Sequence, residues 1–163
     1  MAVKRVSINW NAKLHDSKDL PKYGDSGDGK FSKKFGEGRF VIPAPLEVDA
    51  LMKKVPKGKL TTINELRTAL AKKHKTDFTC PITTGIFSWI AAYAADELAQ
   101  QGRKRITPYW RTLKSDGQIN PKYPGGIEVI RKKLEAEGHT VIQKGKRFLV
   151  ENFKKKTIVP KQG

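Results

Sequence analysis

The stretch that decides the fold is Cys80-Pro-Ile-Thr-Thr-Gly-Ile-Phe-Ser-Trp-Ile-Ala-Ala-Tyr-Ala-Ala-Asp-Glu-Leu98. Its large apolar side chains recur at helical spacing, which predicts a helix with one apolar stripe: Ile82, Ile86, Trp89, Ile90 and Tyr93. Pro81 suits a first helical turn, because the N–H that proline lacks has no partner there. The opposite face carries small, mostly polar residues: Thr83, Thr84, Gly85 and Ser88. Either this face approaches a ligand closely, or the helix is an ordinary buried one that begins with threonines.

The net charge of the chain indicates which class of molecule it binds. The chain of 163 residues has 33 Lys and Arg against 16 Asp and Glu, a net charge of +17. An excess of this size favours a polyanion, because each neutralised phosphate releases counterions. The sequence has no basic amphipathic helix with large exposed apolar residues, so a membrane surface is not predicted. Nucleic acid is the predicted partner.

Length and cysteine content predict one domain in the cytoplasm. A hydrophobic content of 37% is enough for a single core. No apolar run is long enough to span a bilayer and the N-terminus lacks a signal-peptide core, so we expect a soluble, non-secreted, cytoplasmic protein. The single cysteine, Cys80, excludes an internal disulfide and fits a reducing compartment.

Composition and pattern divide the chain into three segments. Residues 1–42 form a basic, Gly-rich and irregular N-terminal extension, in which only Val3–Trp10 is expected as a strand or an arm. Residues 43–139 hold the predicted helices. Residues 140–163 carry seven basic side chains and one acidic, and they predict a β-hairpin followed by a basic, frayed tail. The hairpin tip, Lys144-Gly145-Lys146, either touches a phosphate backbone or is a solvated end of a stabilising hairpin.

One glycine-rich segment comes close to a nucleotide site. Gly24-Asp-Ser-Gly-Asp-Gly29-Lys30 has the glycine and lysine spacing of a phosphate-binding loop. It lacks the Ser or Thr after the lysine that would ligate magnesium, and its two aspartates would face the phosphates. A flexible connector is the better interpretation, and no cofactor is predicted.

Two helices joined by a short polar link form the centre of the chain. Thr62-Ile-Asn-Glu65 is a capping box, in which the threonine hydroxyl takes the glutamate N–H and the glutamate side chain reaches back. The helix that it opens ends in Lys72-Lys73-His74-Lys75, and the helix from Pro81 follows. This order is a helix-turn-helix pattern, whose second helix enters a groove of DNA.

These residues carry a resemblance to a known family. Val55-Pro-Lys-Gly-Lys-Leu-Thr-Thr-Ile-Asn-Glu-Leu66 resembles the opening of the DNA-binding domain of methylated-DNA–protein-cysteine methyltransferases and the related alkyltransferase-like proteins. Farther along, four pieces resemble the active-site segment, the loop after it, the closing Gly-Gly turn and the last helix of that family: Pro108–Arg111, Leu113–Gly117, Tyr123–Gly126 and Lys133–Gly138. The resemblance covers about residues 43–139. It implies a winged-helix fold that binds the DNA minor groove and flips out a damaged guanine.

The sequence departs from the family at the residues that carry out alkyl transfer. The resemblance places Tyr109 where the family has its acceptor cysteine, Trp110 at the activating histidine and Arg131 at that histidine's glutamate partner. It places Ile63 at the tyrosine that rotates a phosphate, and Ile82 near the arginine that fills the space of the flipped base. Alkyl transfer needs a thiolate and a base that generates it, so no transfer of the familiar kind is expected. Alkyltransferase-like proteins also lack the cysteine, and the resemblance implies binding of alkylated DNA without catalysis.

The resemblance also implies a pocket. Tyr109 and Trp110 could line an aromatic cavity on which a base stacks, beside the loop that contains Ser115. The alternative is that both aromatic side chains pack in or near the core, as such residues commonly do.

Cys80 is the only candidate nucleophile. A helix N-terminus lowers the pKa of a thiol, and His74 could approach it across the turn of the helix pair. The alternative is a small buried side chain, which is the commoner role of a lone cysteine. No metal is predicted, because Cys80 and the three histidines show no ligand spacing.

The sequence therefore predicts a mostly α-helical α/β protein: a winged helix-turn-helix domain with a C-terminal β-hairpin and an irregular N-terminal extension. Its predicted function is non-catalytic binding of double-stranded, possibly alkylated DNA in a repair context. A divergent methyltransferase, a Cys80-dependent enzyme and a general nucleic-acid-binding structural protein stay open as alternatives. The predicted DNA contacts are Lys57, Lys59, Thr61, Thr62, Thr83, Thr84, Ser88 and Arg111.

Overall fold

The computed structural model describes residues 8–161 of the chain. In chain order the elements are α1 (Trp10–His15), β1 (Lys22–Asp25), α2 (Lys30–Phe35), β2 (Arg39–Ile42), α3 (Pro45–Lys53), β3 (Thr61–Thr62), α4 (Ile63–His74), β4 (Phe78–Thr79), α5 (Pro81–Gln100), a 3₁₀ turn (Tyr109–Arg111), β5 (Thr112–Leu113), α6 (Gly126–Ala136), β6 (Val141–Lys144), β7 (Arg147–Val150) and α7 (Phe153–Lys156). The protein is mixed α/β, with small sheets between helices, as the sequence predicts.

The helix pair α4–α5 forms where the sequence predicts it, and local signals explain its ends. The Thr62 hydroxyl accepts the N–H of Asn64 at 3.2 Å and donates to the Glu65 carboxylate. The cap thus satisfies the N–H of Asn64 rather than that of Glu65, the residue that the capping box predicts. Lys75 ends α4 in the left-handed conformation at φ 54°. Pro81 opens α5, which continues to Gln100.

The sequence leaves two roles open for the small-residue face of α5, approach to a ligand or burial, and this face packs inward at Thr84 and Ser88. The buried residues of α5 are small: Thr84, Ser88, Ala91, Ala92, Ala94 and Ala95. Small side chains let the backbone of α5 approach α1 and α3 closely. The contacts formed in such close packing stabilise this orientation more than the burial of a few larger apolar side chains would. The predicted apolar stripe is consequently divided: Ile82, Ile86 and Trp89 are exposed, whereas Ile90 packs against the core.

The N-terminal extension is not irregular, and that prediction is wrong. β1 pairs antiparallel with β2, which pairs in parallel with β4 ahead of α5. An aromatic cluster packs α2 onto this sheet, with Phe31 within 6.4 Å of each of three other rings. The strands have four residues or fewer, too short for their alternation to be recognised in the sequence. Of the predicted strand or arm at Val3–Trp10, residues 3–7 lie outside the described part, and Trp10 begins α1.

The C-terminal segment forms the predicted hairpin, but its tail is docked rather than frayed. β6 and β7 pair antiparallel around a turn with Gly145 at φ 63°, a left-handed conformation that glycine adopts without strain. Beyond α7, the Ile158 N–H donates to the Leu60 carbonyl at 2.8 Å, and the Thr61 hydroxyl donates to the Ile158 carbonyl at 3.0 Å. These long-range hydrogen bonds hold the segment beyond α7 in place, although its basic composition predicts a frayed tail.

One buried cluster joins all three parts of the chain. Leu14 from the extension and Val150 from the hairpin lie in the same cluster as Leu51, Leu66 and Tyr109. Within residues 8–161 no helix combines the length and apolar character needed to cross a membrane.

A polar network attaches the N-terminal sheet to the helices. The Glu47 carboxylate accepts hydrogen bonds from the Ala44 N–H at 2.8 Å and from Lys73 Nζ at 2.6 Å. It also forms a hydrogen bond with His74 Nε2 at 2.7 Å. The second ring nitrogen of His74 bonds the Tyr23 hydroxyl on β1 at 2.9 Å. Burial raises the pKa of Glu47, but the hydrogen bonds from Lys73, Ala44 and His74 outweigh it, so the pKa is lowered.

We expect this network to make stability depend on pH. A carboxyl whose pKa is lowered by folding stabilises the fold above its unfolded pKa, and loses that contribution as pH falls through its folded pKa. Glu47→Gln should therefore cost about 1–2 kcal/mol at neutral pH and progressively less below about pH 4. Urea unfolding of both proteins at several pH values measures this difference. A cost that stays constant down to acid pH would contradict the assignment.

Candidate nucleic-acid interface

The turn before α4 presents two of the predicted phosphate ligands. Lys57 and Lys59 are exposed on either side of Gly58, whose φ of +87° requires a residue that tolerates the left-handed region. The Lys59 N–H closes the turn on the Pro56 carbonyl at 3.0 Å. Both ammonium groups therefore project from a turn with a defined backbone next to the helix pair.

Two threonines of this segment do not face solvent. The side chains of Thr61 and Thr62 are buried, and their hydroxyls bond the docked tail and the α4 cap. Parallel pairing of β3 with β5 places both between elements. The prediction that these side chains hold phosphates is therefore wrong.

The polar face of α5 is mostly buried as well. The Thr84 hydroxyl donates to the Cys80 carbonyl at 2.7 Å, and Ser88 donates to Gly85 while accepting the Tyr123 hydroxyl at 2.9 Å. Burial raises the pKa of Tyr123 to about 12, so this hydroxyl remains a donor. Thr84 and Ser88 are thus core residues rather than groove contacts, and Thr83 is only half-buried.

Arg111 is an internal clamp rather than a DNA ligand. Its guanidinium donates to both Glu137 oxygens, with Nε–Oε1 and Nη2–Oε2 distances of 2.8 Å, and Nη1 donates to the Val55 carbonyl at 2.7 Å. Burial raises the pKa of Glu137, but hydrogen bonds from Arg111 and Trp110 lower it further than burial raises it. These bonds hold the guanidinium against Glu137 and Val55 with its side chain only 14% exposed, and this burial contradicts the predicted DNA contact of Arg111.

The three predicted pocket residues have different environments. Tyr109 is only 3% exposed and lies in the core, where burial, with lesser effects of Asp96 and Tyr93, raises its pKa to about 12. Trp110 is half-buried and donates its indole N–H to Glu137 at 3.0 Å, while Lys133 Nζ lies 4.6 Å from the ring centroid. Ser115 is exposed in the following turn. Tyr109 is therefore a packing residue and does not line an open pocket.

The exposed residues of α5 are the feature that sequence reasoning missed. Ile82, Ile86 and Trp89 are 51%, 47% and 37% exposed. Together with Gly85, Asn120 and Lys122 they line a groove of about 390 Å³. The two alanine pairs on either side of Tyr93, Ala91-Ala92 and Ala94-Ala95, are the sequence signal that could have revealed the inward face, because small residues allow close helix packing.

Cys80 and His74 do not form a catalytic pair. Cys80 occupies the N-cap position of α5, without a side-chain hydrogen bond to the helix, and is buried. Both ring nitrogens of His74 are bonded, one to Glu47 and the other to Tyr23, so neither is available to activate the thiol. Among residues 8–161, no three His, Cys, Asp or Glu side chains lie close enough together to hold a metal ion.

Most of the positive charge has no carboxylate partner. In the described part of the chain the Lys and Arg side chains in ion pairs are Lys22, Lys53, Lys73, Arg111 and Arg131. The hairpin cations Lys144, Lys146 and Arg147 are exposed. A bound polyanion would neutralise such a large number of unpaired cations.

The solved structures that are similar to this chain include two from S. pombe. They are the crystal structure of S. pombe Atl1 in complex with damaged DNA containing O6-carboxymethylguanine, and that of S. pombe ATL in complex with DNA. Each is 19% identical in sequence and covers 71% of this chain and 94% of its own, with TM-scores of 0.49 and 0.48. Both are alkyltransferase-like proteins, the kind of protein that the sequence resembles. No family model matches the chain. No curated protein matches it either.

Proposed function

We propose that the protein binds double-stranded DNA through the α4–α5 pair, as a winged helix-turn-helix domain of residues 43–139, and transfers no alkyl group. The proposal rests mainly on the charge. The chain has 33 basic side chains against 16 acidic ones, and few of the basic side chains within residues 8–161 form ion pairs. The exposed Lys57 and Lys59 precede the pair, and the hairpin with its basic tip would be the wing.

The lack of alkyl transfer rests on the nucleophile. Tyr109 replaces the cysteine in the segment that resembles the acceptor site, and the phenol is buried with a raised pKa. Cys80 is buried without a base. The resemblance of residues 43–139 to alkyltransferase-like proteins supports a role in recognising damage, with alkylated guanine as the lesion to test first.

Fluorescence anisotropy tests this function. A plain duplex and one containing an O6-alkylguanine are titrated with protein across a salt series. We expect affinity to fall steeply with salt, because phosphate contacts release counterions, and Lys57→Gln/Lys59→Gln to lower the slope of log K against log salt by about 2.

The matched control is Arg103→Gln/Lys104→Gln, which removes the same charge beyond the far end of α5. A helix of 20 residues is about 30 Å long, so these side chains lie well away from the N-terminal end of α5 that follows the α4–α5 turn. An equal loss of slope in both double variants would leave only general attraction by net charge. Absence of binding to either duplex at low salt would refute DNA as the partner.

A further inference from the structure

A cleft of about 400 Å³ lies between α1, α3 and the C-terminal half of α5. The segment of residues 103–107, which leads from α5 towards the 3₁₀ turn, forms its fourth wall. The cleft is not lined by Tyr109, Trp110 or Ser115, so it is separate from the segment that resembles the acceptor site. Its volume lies in the range of small-molecule sites, which is roughly 300 to 1,000 Å³.

Hydrogen bonds fix the walls of this cleft before any ligand enters. The Glu97 carboxylate on α5 accepts the Trp10 N–H at 2.9 Å and the Asn11 side-chain amide at 2.8 Å, which holds α1 in place. The Thr107 hydroxyl donates to the Asp49 carboxylate at 2.6 Å, and both residues are buried. This second bond ties the loop to α3. A cleft whose walls are already ordered loses little conformational entropy when a ligand binds.

The charge around the cleft is mostly positive. Arg103 and Arg105 line it and are exposed, and among the residues that the structure describes neither forms an ion pair. The buried Asp49 is balanced by Lys53 at 3.1 Å. Helix C-termini attract basic side chains, which explains Lys53 at the end of α3, but the two arginines lie beyond the last turn of α5. Their charge is therefore left for an anion.

The composition of the walls indicates which anion fits. A guanidinium donates two parallel hydrogen bonds to a phosphate, and two guanidiniums on one loop suit a ligand with several phosphate oxygens. Much of the remaining wall is apolar: Leu46 is 39% exposed, and Leu98 and Ile106 are half-buried. A free phosphate would leave this apolar surface in water, whereas a nucleotide would cover it with its base.

We propose that this cleft binds a nucleotide. Its phosphate groups bind Arg103 and Arg105. Its base packs against Leu46, Leu98 and Ile106. The proposal does not rest on DNA binding, because the N-terminal end of α5 lies about 30 Å away along a helix of 20 residues. Exposed charges are screened over about 8 Å at physiological salt, so nucleotide and DNA bind independently.

Isothermal titration calorimetry with ATP and with tripolyphosphate tests the proposal. We expect one ATP per chain, and Arg103→Gln/Arg105→Gln should weaken its binding at least about tenfold, because charge-assisted hydrogen bonds are lost. Leu46→Ala should weaken ATP binding about threefold and leave tripolyphosphate binding as it is, since only the base contacts the apolar wall. Equal affinity of the wild type for ATP and tripolyphosphate would overturn the nucleotide as the ligand.

The matched control is Lys144→Gln/Lys146→Gln, which removes two exposed cations from the hairpin tip. ATP binding should change by no more than about twofold in this variant, because the tip is not part of the cleft. The same loss of affinity in both double variants would reduce ATP binding to attraction by the net charge and overturn the site.

Competition with DNA distinguishes a nucleotide from the phosphate backbone as the occupant. A fluorescently labelled ATP is bound first, and a plain duplex is then added in excess. We expect the labelled ATP to stay bound while the complex with DNA forms. Its release would overturn the proposal and assign the two arginines to the DNA backbone. If no duplex binds, the proposed DNA-binding function fails, and the ATP titrations still decide the fate of the cleft.

Discussion

Tyr109→Ala should destabilise the protein by about 3–5 kcal/mol, because it removes an aromatic side chain from the packed core and leaves a cavity. The ring is 3% exposed and lies edge-on to Trp110 and Tyr123, with centroid distances of 5.3 and 6.3 Å. Urea denaturation followed by tryptophan fluorescence measures the change in the free energy of unfolding.

The conservative variant separates packing from hydrogen bonding. The Tyr109 hydroxyl reaches the Pro124 carbonyl only at 3.5 Å, so Tyr109→Phe should cost about 1 kcal/mol or less. Affinity for DNA should follow the folded fraction in both variants. A stable Tyr109→Ala protein that has lost only its preference for alkylated DNA would show that the ring contacts a lesion.

Arg111→Ala should cost about 3 kcal/mol at neutral pH, because it leaves the Glu137 carboxylate largely buried beside Trp110 without its cation. The side chains of Arg111 and Glu137 are 14% and 8% exposed. Loss of the Arg111–Val55 hydrogen bond also releases the end of the segment that leads into the Lys57–Lys59 turn.

The pH dependence of this cost identifies its cause. In the wild type the lowered pKa of Glu137 stabilises the fold above the unfolded pKa of about 4.3, and this stabilisation is lost as pH falls through the folded value. The cost of Arg111→Ala should therefore shrink below about pH 4. Arg131→Ala breaks the exposed ion pair with Glu135 and should leave the free energy of unfolding without a measurable change at any pH, because water screens an exposed pair. Equal costs for the two variants would contradict the clamp.

Features that depend on neighbouring residues could be predicted from the sequence. The threonine cap, the proline that opens α5 and the glycine turn of the hairpin act within a few residues, so α4, α5 and the hairpin follow from local signals. The two-residue strands β3, β4 and β5 are not predicted by the sequence, because they form only through pairing with distant strands. The net charge is a sum over the chain and needs no structure. The predicted class of partner rests on it.

Only the tertiary structure decided which side chains are free to act. The helical period of the sequence locates an apolar stripe on α5, but which face turns inward depends on how closely α1 and α3 approach. In the structure the alanines pack against these helices, and Ile82 and Ile86 are exposed. The partner of Arg111 lies 26 residues away along the chain, and the Ile158 carbonyl that accepts the Thr61 hydroxyl lies 97 residues away. Hydrogen bonds over such separations form only when the fold brings their partners together. Arg111 and Thr61, which look like DNA ligands in the sequence, therefore have structural partners, whereas Lys57 and Lys59 stay exposed.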